Sequence, residues 1–318
     1  MSTGGSSRVV IAAFLANLGI AIAKFIGFIF TRSSSMLAES IHSVADTGNQ
    51  VLLLIGARLS KRQPDEEFQF GFARESYFWS FVVAMILFSL GSLFALYEGI
   101  GKLRHPHEID NVAWAIVILI LGVVLEGSSF LTAVRTSQPL KGDRSWWRFI
   151  RSSRIAELTV VLLEDFGALI GLGIALTAVT VSTVTGDPVW DAIGTICIGV
   201  LLGAIATLLA VEMRGLLIGE SAQPGDYDKI RTAMLGAPDV VDVIHLRTQH
   251  FGPEQLLVGA KIAFSRDLSV LQLANAINEV ERLVREVVPI ARPMYIEPDI
   301  IRDVEPQPGD SGDSNPVS

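Results

Sequence analysis

Six apolar runs of roughly 20 residues, the length that a hydrocarbon core of about 30 Å requires of a helix, fill the first two thirds of the chain. They cover residues 9–30, 34–59, 77–99, 112–134, 157–181 and 189–211. A mean hydropathy of +0.47 and a hydrophobic content of 50% agree with a membrane protein rather than a soluble domain of ordinary composition. In lipid a segment has to satisfy its own backbone polar groups, so each run predicts a transmembrane α-helix. The connections differ in charge. Arg58, Lys61, Arg62 and Arg74 follow the second run, and Arg135, Lys141, Arg144, Arg148, Arg151 and Arg154 lie between the fourth and fifth. The opposite side has Arg32, Lys102, Arg104 and the acidic Asp187, so the positive-inside rule places both termini in the cytoplasm. Residues 1–8 do not read as a signal or transit peptide, and the expected location is multi-pass in a bacterial inner (plasma) membrane.

The second run, SSSMLAESIHSVADTGNQVLLLIGA over residues 33–57, carries Glu39, His42 and Asp46. Spacings of three and four put them on one helical face. An ionisable group at bilayer depth costs about 2.5–3.5 kcal/mol on insertion scales, so such residues persist where they face protein, water or an ion. His42 and Asp46 could grip one ion, with a carboxylate from a neighbouring helix completing the site. The fifth run offers Glu164 and Asp165 within VVLLEDFGALIG. Successive helical residues point about 100° apart, so one of the two meets the site and the other faces elsewhere. A nitrogen and oxygen ligand set suits zinc and other borderline divalent metals better than magnesium or calcium. Ligands must shed protons to bind metal, so proton uptake expels it, which is a sufficient basis for antiport. The plainer account of His42 and Asp46 is an interhelical hydrogen-bond pair. Asn17 and Lys24 read as interhelical or snorkelling residues and Glu98 as interfacial; Glu126 stays open.

Beyond Arg214 the composition turns soluble. The chain divides into a spanning domain (1–215), a linker (216–225), a cytoplasmic domain (226–302) and a disordered tail (303–318). A helix over 227–235, strands over 240–250 and 255–264, a helix opened by Ser269 and Gln272, and a strand over 294–296 give the order αββαβ. That order suggests a small ferredoxin-like α+β fold, and its size suggests a dimerisation module. The fold class is therefore an α-helical membrane protein with six transmembrane helices plus a C-terminal cytoplasmic ferredoxin-like α+β domain. A net charge of −8 excludes nucleic acid as a partner, and the lone Cys197 excludes a disulfide framework within one chain. There is no GxxxxGK[ST] signature and no nucleophile and base pair, so neither ATP hydrolysis nor another enzyme activity, and no organic cofactor, is expected.

AxxxxNxxxxxxK (Ala12, Asn17, Lys24), SxSMLAESIHSVAD, PDEEFQFGFARESYFWS and DPVWDAIGTICIGVLL together resemble the cation diffusion facilitator family of zinc transporters. The resemblance implies a six-span homodimer with a cytoplasmic ferredoxin-like domain that exports divalent cations, zinc foremost, from the cytoplasm against protons. It places metal ligands at His42, Asp46 and Asp165. The other fifth-span ligand position of the family is Val161 here, which makes Glu164 the candidate fourth ligand or proton carrier and Glu39 a supporting or proton-relay residue. The LLED arrangement is similar to the branch typified by zinc transporter nine. Where many relatives carry loop histidines this chain has Phe68 and Phe72, and His245 and His250 point to opposite faces of a strand, so no strong loop site or binuclear cytoplasmic site is expected. The rival readings are a manganese, iron, cobalt or nickel exporter of the same fold, and a scaffold or proton-handling subunit that transports no metal.

Overall fold

The computed structural model describes residues 4–31, 34–106 and 112–300, the side chains of 4–8, 24, 27, 28, 30, 31, 34–42 and 45 excepted. The tail over 303–318 and His107 lie outside the described residues. Two compact units result. The first runs to Gly219 and takes in Phe251–Pro253; the second comprises Glu220–His250 and the described residues from Glu254 onward.

In the first unit α1 (Gly4–Thr31), α2 (Ser34–Leu59), α3 (Glu75–Ile86), α4 (Phe94–Arg104), α5 (Val112–Lys141), the short α6 (Trp146–Ser152), α7 (Ala156–Thr185) and α8 (Val189–Ile218) follow one another. A π-helical turn, Leu87–Leu93, joins α3 to α4 into one long rod. That rod, α5, α7 and α8 are each long and apolar enough to cross a membrane; among the described residues α1 contributes the shorter apolar stretch Val9–Ala23. The helices run up to two turns beyond the apolar runs because the polar flanks continue the hydrogen-bond ladder. Neither the π turn nor α6 has a hydropathy signature. The π turn is accommodated by small residues: Ser92 Oγ donates to the Gly199 carbonyl at 2.8 Å, and a Cβ at Gly199 would meet Leu96 Cγ at 2.8 Å. Close backbone approach through Gly and Ser is how helices associate where lipid removes the hydrophobic drive.

α7 lies at the centre, packed on α1, α3, α5 and α8. Its first turns bury Leu158, Val160, Val161, Leu162 and Leu163 against Val9 and Ala13 of α1, Val83 of α3 and Leu209 of α8. Gly186 closes α7 in the left-handed conformation (φ 68°), where a side chain would be strained. The Asp187 carboxylate then accepts from the Val189 N–H at 3.0 Å, closing a turn just ahead of α8.

The second unit orders α9 (Pro224–Leu235), β1 (Val240–Gly252), β2 (Gln255–Phe264), α10 (Val270–Val287) and β3 (Ala291–Asp299). The sheet order is β1-β2-β3, with β2 and β3 parallel and Val258 opposite Met294. β2 buries Leu256, Val258, Ala260, Ile262 and Phe264, the alternation its sequence predicts. These pack with Ile230 and Met234 of α9 and Val280 and Val284 of α10. Ser269 and Gln272 form the expected capping box. β3 is longer at both ends than the apolar triplet suggested, because pairing with β2 continues from Ala291 to Asp299.

Candidate functional site

α2 turns Asp46, Asn49 and Gln50 to one face, at spacings of three and four residues. Asn49 and Gln50 are buried, Gln50 completely, and Asp46 is half-buried. Opposite them stands Glu164 of α7. Its Oε1 accepts from Asn49 Nδ2 at 3.2 Å and its Oε2 from Gln50 Nε2 at 2.8 Å. The next residue, Asp165, is 1% exposed and faces α5, where its Oδ2 accepts from Ser129 Oγ at 2.6 Å. The adjacent carboxylates thus diverge as helix geometry requires, and in the described contacts it is Glu164 that meets α2.

Glu126, three residues before Ser129 on α5, is also buried, and both it and Asp46 lie within electrostatic reach of Glu164. Asp165 in turn lies within electrostatic reach of Glu164. Three helices therefore bring four carboxylates into one interior neighbourhood. The amide oxygens of Asn49 and Gln50 are buried with no hydrogen-bond partner among the described residues. An unsatisfied buried acceptor costs about 1–3 kcal/mol, so these two oxygens are ready to take a hydrogen bond or a cation.

The side chains of Glu39 and His42 lie outside the described residues; their backbone continues α2. Among the described residues no three His, Cys, Asp or Glu side chains are grouped closely enough to hold a metal. Val161 is fully buried in the apolar core and is no ligand. Asn17 is buried within α1, as an interhelical residue would be, and Lys24 lies outside the described side chains. Glu98 and Asp191 are taken by Lys102, at 3.4 and 3.1 Å. In the loop after α2 the Asp65 carboxylate pairs with Arg62 and accepts the Phe68 N–H, so it shapes a turn. His245 is exposed and His250 buried, as opposite faces of a strand require, while Glu297 and Asp299 pair with Lys261 at 3.0 and 3.1 Å. Sequence reasoning missed Asn49, Gln50 and Ser129. Their signal was present: carboxamides and a hydroxyl at three- and four-residue spacing from an intramembrane acid.

Residues 10–218 match the pattern of the cation efflux transmembrane domain, and residues 222–299 match the cation efflux protein cytoplasmic domain. The chain belongs to the cation efflux family. It is a multi-pass membrane protein, with a helical transmembrane domain and a C-terminal domain built around a small sheet. Among cation efflux relatives it is 34% identical over 264 residues to the mitochondrial proton-coupled zinc antiporter of Xenopus laevis, covering 82% of this chain and 47% of that protein. A metal tolerance protein of Arabidopsis thaliana is 32% identical over 273 residues, covering 83% of this chain and 58% of that one. A probable cation efflux system protein of Mycobacterium tuberculosis is 26% identical over 295 residues, covering 91% and 82%. The chain thus spans about half the length of its animal relatives and most of the length of the mycobacterial one.

Proposed function

We propose that this chain is a homodimeric secondary transporter that exports zinc, or a similar divalent cation, from the cytoplasm in exchange for protons. The single observation that carries the reading is the buried acidic neighbourhood where α2, α5 and α7 meet, since carboxylates are retained at bilayer depth only for a partner. The names of the frog antiporter and the plant metal tolerance protein support zinc or a related metal as the substrate and proton coupling as the drive. His42, Asp46 and Asp165 bind the ion; Glu164 is the fourth ligand or the proton carrier, and Glu39 assists from the same helical face. Bound metal excludes protons from these groups and protons displace metal, so one site exchanges one for the other. Rocking helices carry the site from one side to the other.

The finer architecture belongs to the same proposal. α1 and α2 join the four long apolar helices as spans, giving six, and the order αββαβ with a parallel β2–β3 pair supports a ferredoxin-like domain that joins two copies. The spanning domain covers residues 1–215, the linker 216–225 and the cytoplasmic domain 226–302. Both termini face the cytoplasm, on the side of the basic loops. The location proposed is a bacterial inner (plasma) membrane, in keeping with the mycobacterial relative, although the animal relatives are mitochondrial. The experiment is uptake by proteoliposomes holding a zinc indicator and a pH dye, with manganese, iron, cobalt and nickel run in parallel. Zinc influx coupled to proton efflux, lost in Asp46→Ala, is expected; zinc flux unchanged in Asp46→Ala refutes the site, and no flux of any metal refutes the transporter.

A further inference from the structure

The two hydrogen bonds from α2 to Glu164 do more than join helices. Each oxygen of that carboxylate accepts from a different side chain, Oε1 from Asn49 at 3.2 Å and Oε2 from Gln50 at 2.8 Å. Both donors are buried, and they project from the face of α2 that also carries Asp46, one turn away. A carboxylate offers about four acceptor directions, so two bonds fix its plane and leave two lone pairs open. The donors are carboxamides, not Lys or Arg. A neutral donor orients the carboxylate without cancelling its charge, and the full charge stays available to a cation.

We propose that Asn49 and Gln50 are positioning residues: the two carboxamides of α2 form a clamp that presents the Glu164 carboxylate to the transported ion in one fixed orientation. The inference rests on the transport reading and adds to it the means by which a helix without the family's second fifth-span ligand still offers an ordered oxygen donor. Hydrogen bonds that orient a ligating carboxylate are worth about 10- to 100-fold in metal affinity. The clamp acts through Glu164 alone, so its contribution vanishes when Glu164 cannot ligate. A residue that merely packs makes the same difference whatever stands at 164.

The test is a double-mutant cycle on the full-length protein in detergent, with zinc affinity read by competition against a fluorescent chelator. Gln50→Met keeps length and removes the donor; Asn49→Leu does the same at the longer bond. Gln50→Met is expected to weaken zinc binding by roughly 10- to 100-fold when Glu164 is intact and by less than about threefold in Glu164→Gln. Asn49→Leu should show the same pattern with a smaller loss, which keeps the test in force if either variant fails to fold. An independent reading comes from the wild-type protein: zinc should shift a carboxylate stretching band in the infrared difference spectrum, and that band should be missing in Glu164→Gln. Equal losses with Glu or Gln at 164, or no loss in either clamp variant, overturn the clamp while leaving transport standing. If the wild-type protein binds no zinc or related metal, the transport reading fails and the clamp with it.

Discussion

Both units of this chain bury an apolar core, and they differ in the polar residues held inside and the apolar ones left outside. In the helical unit the interior holds Gln50, Glu126, Ser129 and Asp165, while Tyr97 and Val184 stand 79% and 81% exposed on the outside. In the C-terminal unit Ile230, Met234, Leu256 and Ile262 are buried and the charges lie outside, as in the Arg282 pairs with Glu279 and Glu286. The C-terminal unit follows from removing apolar surface from water. The helical unit has no such drive once inserted, so packing and polar contacts hold its helices together. The polar residues held inside the first unit are therefore where function concentrates, and the charged surface of the second is where water is.

The largest effect that could break this contrast is at Asp165. Asp165→Asn keeps the size and the Ser129 contact but removes the charge, and zinc uptake by proteoliposomes should fall by about 100-fold or more, beyond what a merely supporting contact is worth. In the second unit the same degree of burial has no transport consequence but a structural one. Ile262→Ala should destabilise that unit by about 2–5 kcal/mol, seen as loss of its cooperative unfolding in denaturant. Val200, exposed on α8, and Val270, 87% exposed at the start of α10, separate the two exteriors. Val200→Arg should cost about 2.5–3.5 kcal/mol and lower the yield of inserted protein, whereas Val270→Arg should be neutral within about 0.5 kcal/mol. Ser129→Ala, which removes the only donor described to Asp165, should weaken zinc binding by about tenfold, read by chelator competition.

The smallest effect is a pH dependence of the second unit's surface. Hydrogen bonds from the Arg282 guanidinium hold the Glu279 carboxyl below its usual range. A carboxylate depressed on folding stabilises above its unfolded pKa, and that contribution is lost as pH falls through the folded one. Between about pH 6 and pH 3 the wild-type melting temperature should therefore drop slightly more than that of Arg282→Gln. Exposure and salt keep the difference small.

Much of the fold was legible because its signals are local. The second apolar run was bounded at 34–59 from hydropathy, and the helix α2 has the same limits. Ser269 and Gln272 announced α10, and the alternation at Leu256, Val258, Ala260 and Ile262 announced the buried face of β2. The π turn over Leu87–Leu93 was not legible, because its small residues matter only against another helix, α8, where Ser92 meets Gly199 and Gly203. At the site the helical period singled out Glu164 and Asp165 as a pair that must diverge, and the resemblance put Asp165 with the ligands of α2, whereas in the described contacts Glu164 meets α2 and Asp165 meets Ser129 of α5. Asn49, Gln50 and Ser129 were passed over.

Helical period, apolar length and end caps act within a few residues of one another, so the chain's order alone was enough to make it a multi-pass protein with a small α+β domain and acids inside its helices. The bond from Gln50 to Glu164 joins residues 114 positions apart. Whether it forms depends on how α2 and α7 are rotated about their axes, and that rotation is set by the packing of α2 on α1 and α3 and of α7 on α1, α3, α5 and α8. No spacing along the chain encodes a helix's rotation relative to a distant partner, so only the tertiary structure could decide that Glu164 turns to the carboxamides of α2 and Asp165 to the hydroxyl of α5.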